Sequence, residues 1–436
     1  MIKRHLPRYF TILVCTVSFF STIGYGGLSQ NVENEFNIQE AINNAHQGDI
    51  IIVPNGTYPG GIDFLGKAIT LKSQYGPKYC IIDGNEIQSG VRFNNSEGPR
   101  SVLQGFTITR CQAVNSKECG IYLGQYAAPT IRNCIVTGNT ARSDSLEFEA
   151  AGAGVFCDRF SSPTLVECTI SHNTLISAYN GYTEGAGLCS FYASPTLMRC
   201  WVVDNTVYAM GYGGGMGGGI SGFYGGQITL QSCMIVNNTV TGVGSAYHMG
   251  GGLCVRYGTL ALIQGCTFSG NHVVISGCPY QSFGGALYVG EGGDAWIRNT
   301  ILWNNLWGDE SQEIFISDPY TSTHVNINFS VIEGGEEGII ILNATYHEDI
   351  LVYGTMNLVS DPLFRDPVRH DFHLTLNSPC VDAGEPFTWQ AVSPTIYSAG
   401  KDIDGNPRFI DIPWIRYPGR GPLDIGADEV LLSNMG

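Results

Sequence analysis

Through the middle of the chain, apolar and polar positions alternate over only three residues at a time before the pattern breaks and restarts. In Cys168-Thr169-Ile170 the outer positions are small or apolar, as in Cys134/Val136, Cys200/Val202, Cys233/Ile235 and Cys266/Phe268. The residue between them varies freely: Ile135, Thr169, Trp201, Met234 and Thr267. A period of two predicts a short strand with one face inward. Three residues before each cysteine stands another apolar column, Ile131, Leu165, Leu197, Leu230, Ile263 and Ile297. An odd offset cannot keep both side chains on one face of a continuous strand, so the chain must turn a corner between them. A third segment pairs a small residue with an apolar one: Gly120-Ile121, Gly154-Val155, Gly187-Leu188, Gly219-Ile220, Gly252-Leu253 and Ala286-Leu287. Glycine there permits a positive φ or a close backbone approach.

These segments repeat. The phrase Cys-x-apolar-x-x-Asn runs Cys134–Asn139, Cys168–Asn173, Cys200–Asn205, Cys233–Asn238 and Cys266–Asn271, with steps of 34, 32, 33 and 33 residues. Looser copies lie at Phe106–Cys111, Thr300–Asn305 and Ser330–Gly335. A fixed period means units that bury their apolar side only by stacking. Helical arrays share this period, but the repeats are rich in Val, Ile, Thr, Gly, Asn and aromatics, and no lysine occurs between Lys117 and Lys401. The prediction is an all-β parallel β-helix with three short strands and three corners per coil. At about 4.8 Å per coil, eight or nine coils give a rod about 40 Å long. The asparagines should form a corner ladder, since Asn tolerates left-handed backbone and its amide can bond from coil to coil. The cysteine column reads as buried free thiols, because parallel Cβ vectors suit a disulfide poorly.

The ends differ from the repeats, which occupy residues 106–335. Residues 37–105 read as an N-terminal cap and irregular first coils. Within Asn37–Ala45, Ile38, Ala41, Ile42 and Ala45 fall at helical spacing, with Asn37 as N-cap and Glu40 three residues on. Residues 343–436 lose the period and read as an irregular C-terminal cap, with Arg408 among carboxylates. There, Asp402, Asp404 and Asn406 imitate a calcium loop, but Gly405 falls between the ligands and Pro413 takes the place of the closing Glu. A structural turn is the expectation. Residues 1–26 carry Lys3, Arg4 and Arg8 ahead of an apolar run and small residues, the pattern of a secretory signal peptide. The product is expected to be secreted or at the cell surface, with no membrane span.

A net charge of −16 argues against nucleic acid and anionic membranes as partners. Between Phe106 and Gly335 there are 8 Lys/Arg against 15 Asp/Glu, so an anionic polymer would need a bridging cation. No Cys-x-x-Cys or Cys/His ligand spacing appears, so no metal site and no cofactor are assigned; calcium is left open.

The stretch Ile38-Gln-Glu-Ala-Ile-Asn-Asn-Ala, Gly48-Asp49, Val53-Pro-Asn-Gly-Thr-Tyr58, Gly66-Lys-Ala-Ile-Thr-Leu71 and Gly105-Phe-Thr-Ile108 resembles the opening of secreted bacterial right-handed parallel β-helix repeat proteins of the pectin-lyase-like superfamily. The tail, with Ser378-Pro-Cys-Val-Asp-Ala-Gly384, Asp404-Gly-Asn-Pro-Arg408 and Asp424-Ile-Gly-Ala-Asp-Glu429, resembles their choice-of-anchor Q domain. The resemblance implies a right-handed coil and export. It is weak for activity, because one fold serves many functions.

Each repeat carries 11 or 12 residues between its corner Asn and the next small-residue segment: Thr140–Ala151, Thr174–Glu184, Thr206–Met216, Thr239–Met249 and His272–Phe283. Leaving the same corner of successive coils, they should form one wall of loops. Tyr179, Tyr182, Glu184, Trp201, Tyr212, Tyr247 and His248 are the candidate ligand-binding residues, because aromatic faces with a few carboxylates suit sugar rings. No catalytic residue is assigned, since neither the polygalacturonase nor the pectate lyase residue set is present. The preferred reading is a non-enzymatic exported rod that binds extracellular polysaccharide, a surface glycan or a partner surface. The alternative is a polysaccharide lyase, hydrolase or epimerase using a carboxylate pair from Glu147, Glu149 and Glu184, or His248 or Arg256. A purely structural role is the third reading.

Overall fold

The computed structural model describes residues 12–13, 36–86, 89–117, 119–144, 150–177, 181–211, 213–244, 247–274, 282–317, 322–342, 350–385, 401–408 and 423–430. The expected signal peptide lies outside them, except for the strand Ile12–Leu13 beside Ile50–Ile51. Among the described residues no helix is long and apolar enough to cross a membrane.

The backbone winds as a β-solenoid of stacked parallel sheets. Sheet I holds the strands before each cysteine, such as Thr164–Val166 and Thr196–Met198, and Ile131, Leu165, Leu197, Leu230, Ile263 and Ile297 pair in one register column. Sheet II holds the strands after it, such as Thr169–Ser171, Trp201–Val203 and Met234–Val236. Between sheets I and II the predicted corner is a single left-handed residue: Asn133, Glu167, Arg199, Ser232 and Gly265 have φ between 48° and 56°. Sheet III holds the small-residue segments, with Ile121, Val155, Leu188, Ile220, Leu253 and Leu287 aligned.

The insertions are largely strands rather than loops, so the middle coils carry two strands beyond the predicted three. Sheet IV comprises Thr140–Ser143, Thr174–Ser177, Thr206–Gly211, Thr239–Gly244 and His272–Val273. Its Ala141, Leu175, Val207, Val240 and Val273 enter the main core. Sheet V comprises Ala150–Ala151, Tyr182–Glu184, Gly214–Met216, Tyr247–Met249 and Ser282–Phe283. The chain then reverses sharply, so that sheet V lies over the outer face of sheet III. Gly152, Gly185, Gly217, Gly250 and Gly284 make this reversal, with φ between 61° and 75°. A Cβ at any of them would lie 2.1–2.6 Å from the carbonyl oxygen three residues on. Sheet V thereby buries outward residues of sheet III in a second apolar layer: Phe156, Cys189 and Phe223 with Ala151, and Cys254, Tyr288 and Phe315 with Met216 and Met249.

The asparagine column is a continuous buried ladder. Each Nδ2 of Asn139, Asn173, Asn205, Asn238 and Asn271 donates to the Oδ1 of the next Asn at 2.8–3.0 Å, ending at Asn305. The same Oδ1 also accepts the preceding asparagine's backbone N–H at 3.0–3.2 Å. Gly154, Gly187 and Gly219 press against it; a Cβ there would stand 2.9–3.0 Å from the nearest Asn Nδ2 or carboxamide carbon.

Glu313 terminates the ladder, accepting from Asn305 Nδ2 at 2.6 Å and from its backbone N–H at 3.2 Å. Burial holds the Glu313 carboxyl well above the usual range, although the Asn305 bonds pull the other way. The native state therefore keeps a proton that the unfolded chain loses near pH 4.3, and stability falls as pH rises above that value. Glu313→Gln should remove this fall and raise stability at pH 7, read from urea unfolding at pH 4 and pH 7. An unchanged pH slope would contradict it.

The twelve described cysteines are free and buried. Cys134, Cys168, Cys200, Cys233 and Cys266 each place Sγ 3.3–3.4 Å from the carbonyl oxygen two residues back. Burial raises the Cys80 thiol to about 12 and also raises Cys134 and Cys157, so little thiolate forms at these three; hydrogen bonds from Cys200 and Cys266 pull Cys233 the other way, and there burial alone keeps reagent out. These twelve thiols should resist an aromatic disulfide reagent at pH 8 in the native protein and react in denaturant. Rapid native labelling of any of them would contradict the buried column.

Helix Ile38–Asn44 covers the first coil, with Ile38 and Ile42 buried and Asn37 Oδ1 accepting the Glu40 N–H at 3.0 Å. Lys67 Nζ caps its other end on the carbonyls of Ile42, Asn43 and Ala45 at 2.7–2.9 Å. The tail folds back along the flank: Phe372, Ile403 and Ala427 cover Met234 and Val236, while Leu374, Val381 and Ile425 cover Ile301 and Val331. Arg408 is buried there, with Nη2 donating to the Asp424 carbonyl at 2.7 Å and Nε 4.0 Å from Glu429.

Candidate functional site

The aromatic side chains that face solvent in register do not lie where the sequence placed the loop wall. They sit where sheet III turns into sheet I, at Tyr126, Phe160, Tyr192, Tyr224 and Tyr257. All five adopt left-handed backbone, with φ of 63°, 60°, 50°, 64° and 50°, and are 39–57 % exposed. Left-handed φ is costly for bulky residues, and Gly or Asn would satisfy the turn more easily. What aromatics add there is stacking. Ring centroids are 5.3 Å apart for Tyr126–Phe160, 5.4 Å for Tyr192–Tyr224 and 5.0 Å for Tyr224–Tyr257, with interplanar angles of 18°, 13° and 12°. The rings form two stacks, Tyr126–Phe160 and Tyr192–Tyr224–Tyr257, with a break in stacking between Phe160 and Tyr192.

Cations stand near the middle of the column. The Arg159 guanidinium lies 4.9 Å from the Phe191 ring centroid and 5.9 Å from that of Tyr192, and Lys117 Nζ lies 4.8 Å from Phe191. The Tyr257 end is fixed by Arg256. Its Nη2 donates to Tyr257 Oη at 2.6 Å, its Nε to Glu291 at 2.9 Å, and its Nη1 lies 3.7 Å from Glu184 and 2.8 Å from Met216 Sδ. Burial alone would lower the Arg256 pKa, but Glu184 and Glu291 hold it raised.

The predicted residues divide. Tyr182 and Tyr247 are exposed on sheet V, one coil to either side of Gly214. A Cβ on Gly214 would lie 2.9 Å from the Tyr182 ring and 2.7 Å from Met216 Cε. The Tyr182 ring and Met216 Cε thus both lie against Gly214, and Met216 Sδ in turn meets the Arg256 that holds Tyr257. Glu184 does not face solvent: it is buried between Arg256 and Ser221, whose hydroxyl donates to it. His248 is also buried, because strand alternation turns it opposite to Tyr247; Nδ1 lies 3.2 Å from the Val274 carbonyl. Burial lowers its pKa, which disfavours the imidazolium. Trp201 is half-buried, packing on the tail-covered cluster that includes Met234 and Phe372. Tyr179, Tyr212, Glu147 and Glu149 lie outside the described residues.

The missed column had a sequence signal. Tyr126, Phe160 and Tyr192 each precede a proline by three residues (Pro129, Pro163, Pro195), and all five aromatics follow the small residue of sheet III by five or six positions.

Residues 61–248 match a family model described as a right handed beta helix region. With the stacked parallel sheets, this supports a right-handed β-helix repeat protein. No curated protein and no solved structure is significantly similar to the chain.

Proposed function

We propose that this right-handed β-helix repeat protein is an exported rod that binds extracellular glycan chains along its exposed aromatic column without transforming them. The observation that carries the reading is the choice of Tyr or Phe at one left-handed corner in five successive coils, where the backbone alone would favour Gly or Asn. The two ring stacks, Tyr126–Phe160 and Tyr192–Tyr224–Tyr257, hold their side chains in place, so little ordering entropy is lost on binding. Phenol hydroxyls spaced along the rod axis, with Arg159 over the Tyr192 ring, suit a linear hydroxyl-rich polymer. Tyr182 and Tyr247 add exposed rings on sheet V. The export step rests on the sequence pattern of residues 1–26. Sequestration of Glu184 against Arg256 and Ser221 weighs against its service as a general acid in the hydrolase alternative.

The test is the variant Tyr192→Asn/Tyr224→Asn. Asn tolerates left-handed φ, and relief at the corner offsets much of the lost stacking, about 0.5–1.5 kcal/mol per pair. Stability should change little, while retention on immobilised polysaccharides and glycan arrays should fall at least tenfold. Trp201→Ala should leave retention unchanged. Wild-type protein that binds no glycan, or a double variant that binds equally well, would sink the proposal.

A further inference from the structure

Three segments of the tail converge on one imidazole. His373 lies on the strand Asp371–Leu374, Asp404 on the turn that follows Asp402, and Asp428 in the segment 423–430. His373 Nε2 stands 3.0 Å from Asp404 Oδ2, and one ligand atom from each of His373, Asp404 and Asp428 lies within 4.8 Å of the others. Metal–ligand bonds of about 2.0–2.2 Å set neighbouring ligand atoms roughly 3–3.5 Å apart in tetrahedral or octahedral geometry, so a small contraction closes the set.

Two features separate this cluster from surface acids meeting by chance. First, His373 is held from its other side: Nδ1 is 2.5 Å from Asp371 Oδ1. A carboxylate on one imidazole nitrogen fixes the ring and directs the other nitrogen outward, the arrangement that supports metal-bound histidines. Second, Asp428 is only 4 % exposed and spends Oδ2 on the Leu374 N–H at 2.9 Å. Among the described residues no Lys or Arg forms an ion pair with it. A buried carboxylate without a full counter-charge is costly, and three aspartates (Asp371, Asp404 and Asp428) stand around one histidine.

Asp402 is not available as a ligand. Its Oδ1 accepts the N–H groups of Asp404 and Asn406 at 3.0 and 2.7 Å, and its Oδ2 accepts Asn406 Nδ2 at 3.1 Å. It shapes the turn that presents Asp404, whose side chain is half exposed and leaves a path for an ion to enter.

We infer that His373, Asp404 and Asp428 form a binding site for a divalent transition cation of the zinc or manganese class, oriented by Asp371, which staples the tail segments together on the solenoid flank. One nitrogen and two carboxylates suit these ions better than calcium or magnesium, which prefer all-oxygen shells. Because the ligands come from separate segments, binding stabilises the packed tail by mass action.

The experiment uses the full chain, stripped with chelator and titrated calorimetrically with Zn²⁺ and Mn²⁺, with Ca²⁺ as comparison. One equivalent of Zn²⁺ or Mn²⁺ should bind and raise the thermal midpoint. His373→Ala and Asp404→Asn should each abolish both effects, and Asp404 is exposed enough for its variant to fold. Asp371→Asn should keep the stoichiometry and weaken affinity roughly 10- to 100-fold. Absence of stoichiometric Zn²⁺ or Mn²⁺ binding, binding indifferent to His373→Ala and Asp404→Asn, or a preference for Ca²⁺ would each overturn the assignment.

Discussion

Asn205→Leu should destabilise the protein by about 4 kcal/mol or more, enough to leave much of it unfolded at 37 °C. Asn205 Nδ2 donates to the Ile170 carbonyl at 2.9 Å and to Asn238 Oδ1 at 2.9 Å. Its Oδ1 accepts both Asn173 Nδ2 at 2.9 Å and the Asn173 backbone N–H at 3.1 Å. Leucine makes none of these bonds and strands at least two buried donors and a carbonyl, each costing about 1–3 kcal/mol. Its branched methyls would also meet Gly187, whose Cβ position already lies 3.0 Å from Asn205 Nδ2. Stability in a solenoid is a sum of neighbour interfaces, so a break in a middle coil uncouples both halves. Urea unfolding followed by circular dichroism measures the effect. A loss under 1 kcal/mol would mean that the ladder accompanies the fold without holding it.

The order of elements was readable because a solenoid repeats its constraints. Five copies of one phrase separate positions that must be Cys, Gly or Asn from those free to vary, and registers such as Leu165–Leu197–Leu230 follow from the offsets alone. The second layer was harder to read. Sheet IV and sheet V are short, rich in Gly and Ala, and interrupted by segments without a fixed period, so their strand character depends on stacking rather than on their own alternation. Once sheet V lies on sheet III, outward positions such as Phe156 and Tyr288 become core. A carboxylate expected at a loop surface, Glu184, becomes half of a buried pair. Trp201 was misplaced for a related reason: it does face outward from its strand, but the tail returns along that flank, and no local pattern reveals a contact more than a hundred residues away. The cation ligands escaped notice similarly, since His373, Asp404 and Asp428 are too far apart in sequence to form a spacing motif.

Arg256→Met should cost about 3–5 kcal/mol, although it replaces a charged side chain with an apolar one in an apolar layer. The reason lies in what the guanidinium leaves behind. Glu184 is 5 % exposed, and without Arg256 it loses the guanidinium that stands 3.7 Å away; Glu291 loses the 2.9 Å bond to Nε. A buried, uncompensated carboxylate must be desolvated or protonated, and either is unfavourable at neutral pH. The partner of the test is the double variant Glu184→Gln/Arg256→Met, which removes both buried charges and should recover most of the loss. If the single variant costs under 1 kcal/mol, or the double variant is no better, the pair does not organise this layer. Arg256 also holds Tyr257 Oη and lies against its ring, with the guanidinium carbon 4.5 Å from the centroid. The double variant therefore makes a second measurement: it should fold, yet bind glycan more weakly than wild type, because the last ring of the column has lost its anchor while the stack above it remains.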